Sequence, residues 1–215
     1  MPIEPHTRSA IGERSGRARL EPADLFFWVT LAGALVAVAA GNLPATAFLT
    51  LTLCAMLVLS RLELPRGLEF SVATGIVLQG WGNALLLFEI IGWYDKAVHF
   101  LTPLLVVPSL YLLLARACAV PAPGADGLRR GVLGLFVVTI ALGIALAATW
   151  ELIEGSSDLL LGTSLAHGYL ETLGDLYAST LGSLAAGAVL AWWVAAGGRD
   201  VRGEAFGAEA LPESD

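Results

Sequence analysis

Residues 131–150 read GVLGLFVVTIALGIALAATW, twenty positions without a charge, bounded by Arg129-Arg130 before and Glu151 after. A helix needs roughly 20 apolar residues to cross the hydrocarbon core of a bilayer. An amphipathic helix of a soluble protein would interrupt such a run with a polar stripe. The stretch therefore predicts a membrane span over about 130–154. Its ends also set a direction, because arginine and lysine collect on the cytoplasmic side of membrane proteins.

Five more apolar stretches flank it, at about 25–40, 45–60, 70–91, 95–116 and 175–195. The first two are short for a full crossing and can form a tight hairpin about Gly41-Asn42-Leu43-Pro44. The chain is 56% hydrophobic and only 14% charged, against about a quarter charged in a soluble domain. The expected fold is all-α: one polytopic membrane bundle of about six helices over 25–196. A flexible cytoplasmic arm (1–24) should precede it and a disordered cytoplasmic tail (197–215) should follow. Residues 155–174 read as a long outer loop. The first span could also be a cleaved signal peptide, since Ala37-Val38-Ala39 resembles a cleavage site. Pro103 and Pro108 should kink the fourth span.

With the N-terminus inside, Arg8, Arg14, Arg17, Arg19, Arg61, Arg66, Arg116, Arg129, Arg130, Arg199 and Arg202 all fall on the cytoplasmic side. The expected location is a bacterial plasma membrane, with both termini cytoplasmic. The opposite face holds Glu89, Asp95, Lys96, His99, Glu151, Glu154, Asp158, His167, Glu171 and Asp175. The net charge of −7 arises from these acids and from the acidic tail, and no basic patch suggests nucleic acid. Cys54 and Cys118 fall at different depths, which argues against a disulfide.

Helical spacing groups the outer polar residues. Asp95 and His99 share a face at the start of span four; Glu151, Glu154 and Asp158 share one at the end of span five; Glu171, Asp175 and Ser179 share one at span six. Capping alone would explain Asp95 or Asp175, because acids suit a helix N-terminus. Glu151 and Glu154 sit at the unfavourable C-terminal end of a dipole and need either water or a compensating cation. Clustered carboxylates must share a cation or stay protonated. Carboxylates plus one imidazole suit a divalent Mg, Mn, Zn or Fe ion, with Asp95, His99, Glu151 and Asp175 as the candidate ligands. In span six, Ser179, Gly182, Ser183, Ala186 and Gly187 form a small-residue face for close helix packing.

These blocks carry a resemblance. Tyr94-Asp95-Lys96-x-x-His99-Phe100, Trp150-Glu151-x-x-Glu154 and Glu171-x-x-x-Asp175-Leu-x-x-x-Thr-Leu-Gly182 resemble the pattern of the YjdF-like family of bacterial multi-pass membrane proteins. They are similar also to the wider VanZ-like pattern, linked to resistance to a lipophilic glycopeptide antibiotic. The resemblance covers about residues 90–190. It implies a small helical inner-membrane protein and supplies no reaction. By position, the shared polar residues are Asp95, Lys96, His99, Glu151, Glu154 and Asp175. Ser179 and Glu154 stand where VanZ-like chains prefer Asn and Gln.

Three functions fit. In the first, a metal activates water at the lipid headgroups, Glu154 is the base, Lys96 or the metal takes phosphate charge, and the 155–174 loop (with Ser156, Ser157, Thr163, Ser164 and His167) is a lid. Its substrate would be a lipid-linked phosphate. In the second, the polar cluster only locks helices together in a lipid-binding or assembly subunit, with membrane lipids or other membrane proteins as partners. In the third, Gln79, Asn83, Ser179 and Ser183 extend a cation or proton path inward.

Overall fold

A computed structural model describes residues 22–62, 64–120, 128–162 and 168–196. Over them the chain forms α1 (Pro22–Ala39), α2 (Leu43–Leu59), α3 (Arg66–Ala84), the single turn α4 (Leu87–Ile90), α5 (Tyr94–Arg116), α6 (Leu128–Leu161) and α7 (Tyr169–Ala195). No strand occurs among the described residues. The protein is an all-helical membrane bundle. Helices α5 and α7, and residues Gly131–Leu160 of α6, are long and apolar enough to cross a bilayer; α1 and α2 are apolar but shorter. Leu35, Val36, Leu51 and Leu57 stand more than half exposed on α1 and α2. Such exposure is unfavourable in water and neutral against lipid chains, which are as apolar as leucine. The expected terminal arm and tail lie outside the described residues, apart from the arm's last residues, Pro22 to Asp24, which open α1.

Local chemistry explains the first turn. The Asn42 side chain accepts the Ala45 N–H at 3.1 Å and so caps α2. Pro44 sits in the first helical turn, where its missing N–H costs nothing. Gly41 takes the left-handed φ of +67° that reverses the chain between α1 and α2.

Two boundaries differ from expectation. The 70–91 span breaks: α3 stops at Ala84, and Leu86 adopts a φ of 56° before α4. The cause lies in tertiary contacts. The rings of Phe88 and Tyr94 meet edge to face at 5.0 Å. They pack where a side chain on Gly82 would stand, 2.6 Å from a ring carbon of Tyr94. The Tyr94 hydroxyl donates to the Leu78 carbonyl at 2.7 Å, folding the corner back onto α3.

The expected 155–174 loop is instead mostly helix. Helix α6 continues through Gly155, Ser156, Ser157 and Asp158 to Leu161. The Ser157 hydroxyl donates to the Ile153 carbonyl at 2.7 Å, and Gly162, at φ +67°, ends the helix. Helix α7 begins at Tyr169, so Asp175 lies inside it and not at its cap. Thr163, Ser164 and His167 of the proposed lid lie outside the described residues.

Helix α7 packs along both α5 and α6 through its small residues. Gly182 faces the Phe100 carbonyl and the Pro103 ring, Ser183 fits against Gly143, and Gly187 against Phe136. Helix α5 runs unbroken through the buried Pro103 and Pro108. Helices α1 to α3 form a second group, joined to the first where α3 lies against α5. Among the described residues, no Cα of α6 comes within 8 Å of one in α2 or α3. Tyr111, Leu112, Leu135, Leu190 and Val194 fill the core between α5, α6 and α7 toward the Arg116 end. The opposite end of these helices carries the polar groups.

Candidate functional site

The first turns of α5 project Asp95, Lys96 and His99; the late turns of α6 project Glu151 and Glu154; the early turns of α7 project Glu171, Asp175 and Ser179. Close packing of α7 on its two neighbours brings most of these groups together. Asp175 is the deepest, with its side chain 2% exposed. Its Oδ1 accepts the Lys96 ammonium at 2.6 Å. The same ammonium donates to Asp95 Oδ2 at 3.0 Å and to the Glu171 carbonyl at 3.4 Å, with Glu171 Oε1 at 3.6 Å. Gly174 leaves room for this arrangement, since a Cβ there would stand 3.0 Å from Lys96 Cε.

His99 forms the second half of the cluster. Its Nδ1 pairs with the Ser179 hydroxyl at 3.3 Å. Its Nε2 faces Asp95 Oδ1 at 3.5 Å, Glu151 Oε1 at 3.9 Å and Asp175 Oδ1 at 3.9 Å. The last two are too long for hydrogen bonds. The Glu151 side chain is only 9% exposed. The Thr172 hydroxyl bonds its carboxylate, yet Oε1 is buried with no hydrogen-bond partner. Donor atoms of Asp95, His99 and Asp175 lie within 4.8 Å of one another.

Of the residues singled out by spacing, Asp95, Lys96, His99, Glu151 and Asp175 therefore meet at one centre. Glu154 stands to the side: its Oε1 accepts the Trp150 indole N–H of its own helix at 2.7 Å. Lys96, with the metal one of two candidates for phosphate charge, has its ammonium within reach of Asp175 and Asp95. Three contributors were not among the candidate ligands: Glu171, Thr172 and Ser179. Glu171 and Ser179 flank Asp175 by one helical turn on either side, and that spacing is the signal that marks them. The residues proposed for an inward polar path bond locally. Ser183 donates to the Ser179 carbonyl at 2.6 Å, and the Asn83 amide donates to the Gln79 carbonyl at 2.9 Å.

Fold and cluster define a polytopic helical membrane protein in which a buried carboxylate and imidazole meet a partly exposed ammonium at one end of its longest helices. The chain belongs to the family described as "Predicted membrane protein (DUF2238)", whose model matches residues 23–196. Neither a curated protein nor a solved structure matches the chain.

Proposed function

We propose that this centre binds one divalent cation and presents it to lipid headgroups at the outer face of a bacterial plasma membrane. Asp95, His99 and Asp175 are the ligands, Glu151 the fourth donor, and Lys96 the balancing charge. The observation that carries the reading is the convergence of three carboxylate oxygens on His99 Nε2 at 3.5–3.9 Å, one of them the partnerless, buried Oε1 of Glu151. Ligand atoms in a tetrahedral shell with bonds of about 2.0–2.2 Å stand roughly 3.3–3.6 Å apart, and donor atoms of Asp95, His99 and Asp175, within 4.8 Å of one another, would draw together on one ion, with Glu151 moving in as the fourth donor. Charge points the same way. Asp95, Glu171 and Asp175 surround the Lys96 ammonium, and Glu151 faces His99 beside them; four clustered carboxylates with one fixed cation call for a further cation or a bound proton. The likeness to YjdF-like and VanZ-like patterns at the same positions, and the placing of Arg61, Arg66 and Arg116 at the other helix ends, support the outward orientation.

The metal content of the purified full chain tests the reading. After equilibration with Mn2+ or Zn2+ and desalting, about one equivalent should remain on the parent protein, and much less on His99→Ala and Asp175→Asn. Equal, negligible metal on all three ends it.

A second reading has its own support. The 2.6 Å Lys96–Asp175 pair joins α5 to α7, as a purely structural clasp would. Transport has less: Tyr111, Leu135 and Leu190 close the Arg116 end with packed apolar side chains.

A further inference from the structure

A cavity of about 340 Å3 lies beside His99, walled by α2, α3, α5 and α6, with Ser179 of α7 at its edge. It lies between α6 and the α2–α3 pair, where no Cα of α6 comes within 8 Å of one in α2 or α3, and its exposed lining residues Leu51 and Ile153 are apolar, which suits a mouth on lipid chains. Its polarity is graded. Ile76, Val106 and Leu146 line its deeper part; Gln79, Asn83 and His99 line the part nearer the polar cluster. None of the four carboxylates lines it. Walls of this kind reject ions and sugars, which would lose their hydration without replacement. A hydrocarbon chain with a polar linkage at one end matches them throughout.

The geometry points to a lateral seat for one hydrocarbon chain of a membrane lipid, entered between α2 and α6, with the lipid's ester linkage held beside Gln79, Asn83 and His99. The volume, at the low end of the roughly 300–1,000 Å3 of small-molecule sites, admits one chain and not a whole two-chain lipid. Leu51 and Ile153, both more than half exposed, stand at the rim, so the second chain remains in the bilayer. The seat names the ligand class that reaches the proposed metal and rests on that reading only for the headgroup. The chain's burial is independent of any ion.

The test is photolabelling of the full chain in vesicles of phosphatidylethanolamine and phosphatidylglycerol, with a trace of phosphatidylethanolamine bearing a diazirine in its acyl chain. EDTA is present throughout, so a failed metal reading leaves the result untouched. Adducts should concentrate several-fold on residues 48–55 and 146–153 relative to the lipid-facing Leu35–Val38 stretch of α1. Ala55→Phe, which fills the seat from α2, should remove that excess. Should Ala55→Phe not fold, Thr149→Trp at the exposed α6 rim serves the same purpose. Even labelling of all exposed faces overturns the proposal. So does an excess that survives the filling variant, or crosslinking of two protein copies through the gap.

Discussion

The Lys96 ammonium stands 2.6 Å from Asp175 Oδ1 across 79 positions of sequence, and this pair joins the start of α5 to the early turns of α7. The Asp175 carboxylate is 2% exposed and the Lys96 side chain 40% exposed, so the two members respond differently to substitution. Lys96→Met leaves a buried carboxylate without its ammonium. Asp175→Leu leaves an ammonium that can turn outward. The first should be the more destabilising, by about 1–3 kcal/mol, below the roughly 3–5 kcal/mol of a fully buried pair. The double variant should recover part of the loss. Thermal unfolding of all four proteins in detergent measures the coupling, and strict additivity would dissolve the clasp.

Packing of α5 on α7 rests on Gly182, where an added Cβ would collide with the Phe100 carbonyl and stand 3.0 Å from Pro103 Cγ. Backbone cannot step aside as a flexible side chain can. Gly182→Ala should therefore cost about 1–3 kcal/mol, the range for overpacked interiors. Gly134 on α6 has nothing within 4 Å of its Cβ position. Gly134→Ala should leave stability unchanged or raise it by up to about 1 kcal/mol through helix propensity. Melting temperatures that move together for both variants would contradict the α5–α7 contact.

The corner between α3 and α5 depends on the Tyr94 hydroxyl, which donates to the Leu78 carbonyl at 2.7 Å. Tyr94→Phe keeps the ring against Gly82 and Phe88 but removes that bond. A loss of about 1 kcal/mol is expected, the usual net worth of one hydrogen bond. Limited proteolysis should then cut faster between Leu85 and Trp93. An unchanged cutting rate would mean that ring packing alone holds the corner.

Much of this was legible from spacing, for a physical reason. Residues four apart on a helix share a face whatever the tertiary structure, so the Asp95–His99 pair and the Glu171–Asp175–Ser179 row could be read directly. Charge-free runs such as 131–150 marked the long helices equally well. What escaped depends on contacts between elements. The Leu85-Leu86-Leu87 run contains no breaker, and the chain turns there because the rings of Phe88 and Tyr94 close over Gly82. Gly155-Ser156-Ser157-Asp158 has loop composition, yet it stays helical, with Ser157 bonding back to Ile153. The engagement of Lys96 by Asp175 is set by how α7 packs on α5. The sideways cavity is a gap between helices, which no residue pattern announces.

Glu151 separates the two readings of the cluster most cleanly. Its Oε1 is buried, makes no hydrogen bond and faces His99 Nε2 at 3.9 Å. In a purely structural clasp this oxygen contributes nothing. Glu151→Gln would then leave the melting temperature unchanged or raise it, because a poorly solvated charge is removed. If the centre binds a cation, Mn2+ at a hundredfold excess over its dissociation constant should stabilise the parent chain by about 2.7 kcal/mol. Losing one donor should weaken binding on the order of tenfold to a hundredfold, by analogy with groups that support a bound metal. The same Mn2+ would then stabilise Glu151→Gln by about 1.4 kcal/mol or less. Chelation should lower the parent's melting temperature more than the variant's. If neither Mn2+ nor EDTA moves either protein, Asp95, His99 and Asp175 hold no ion, and the cluster is the clasp that Lys96 makes of it.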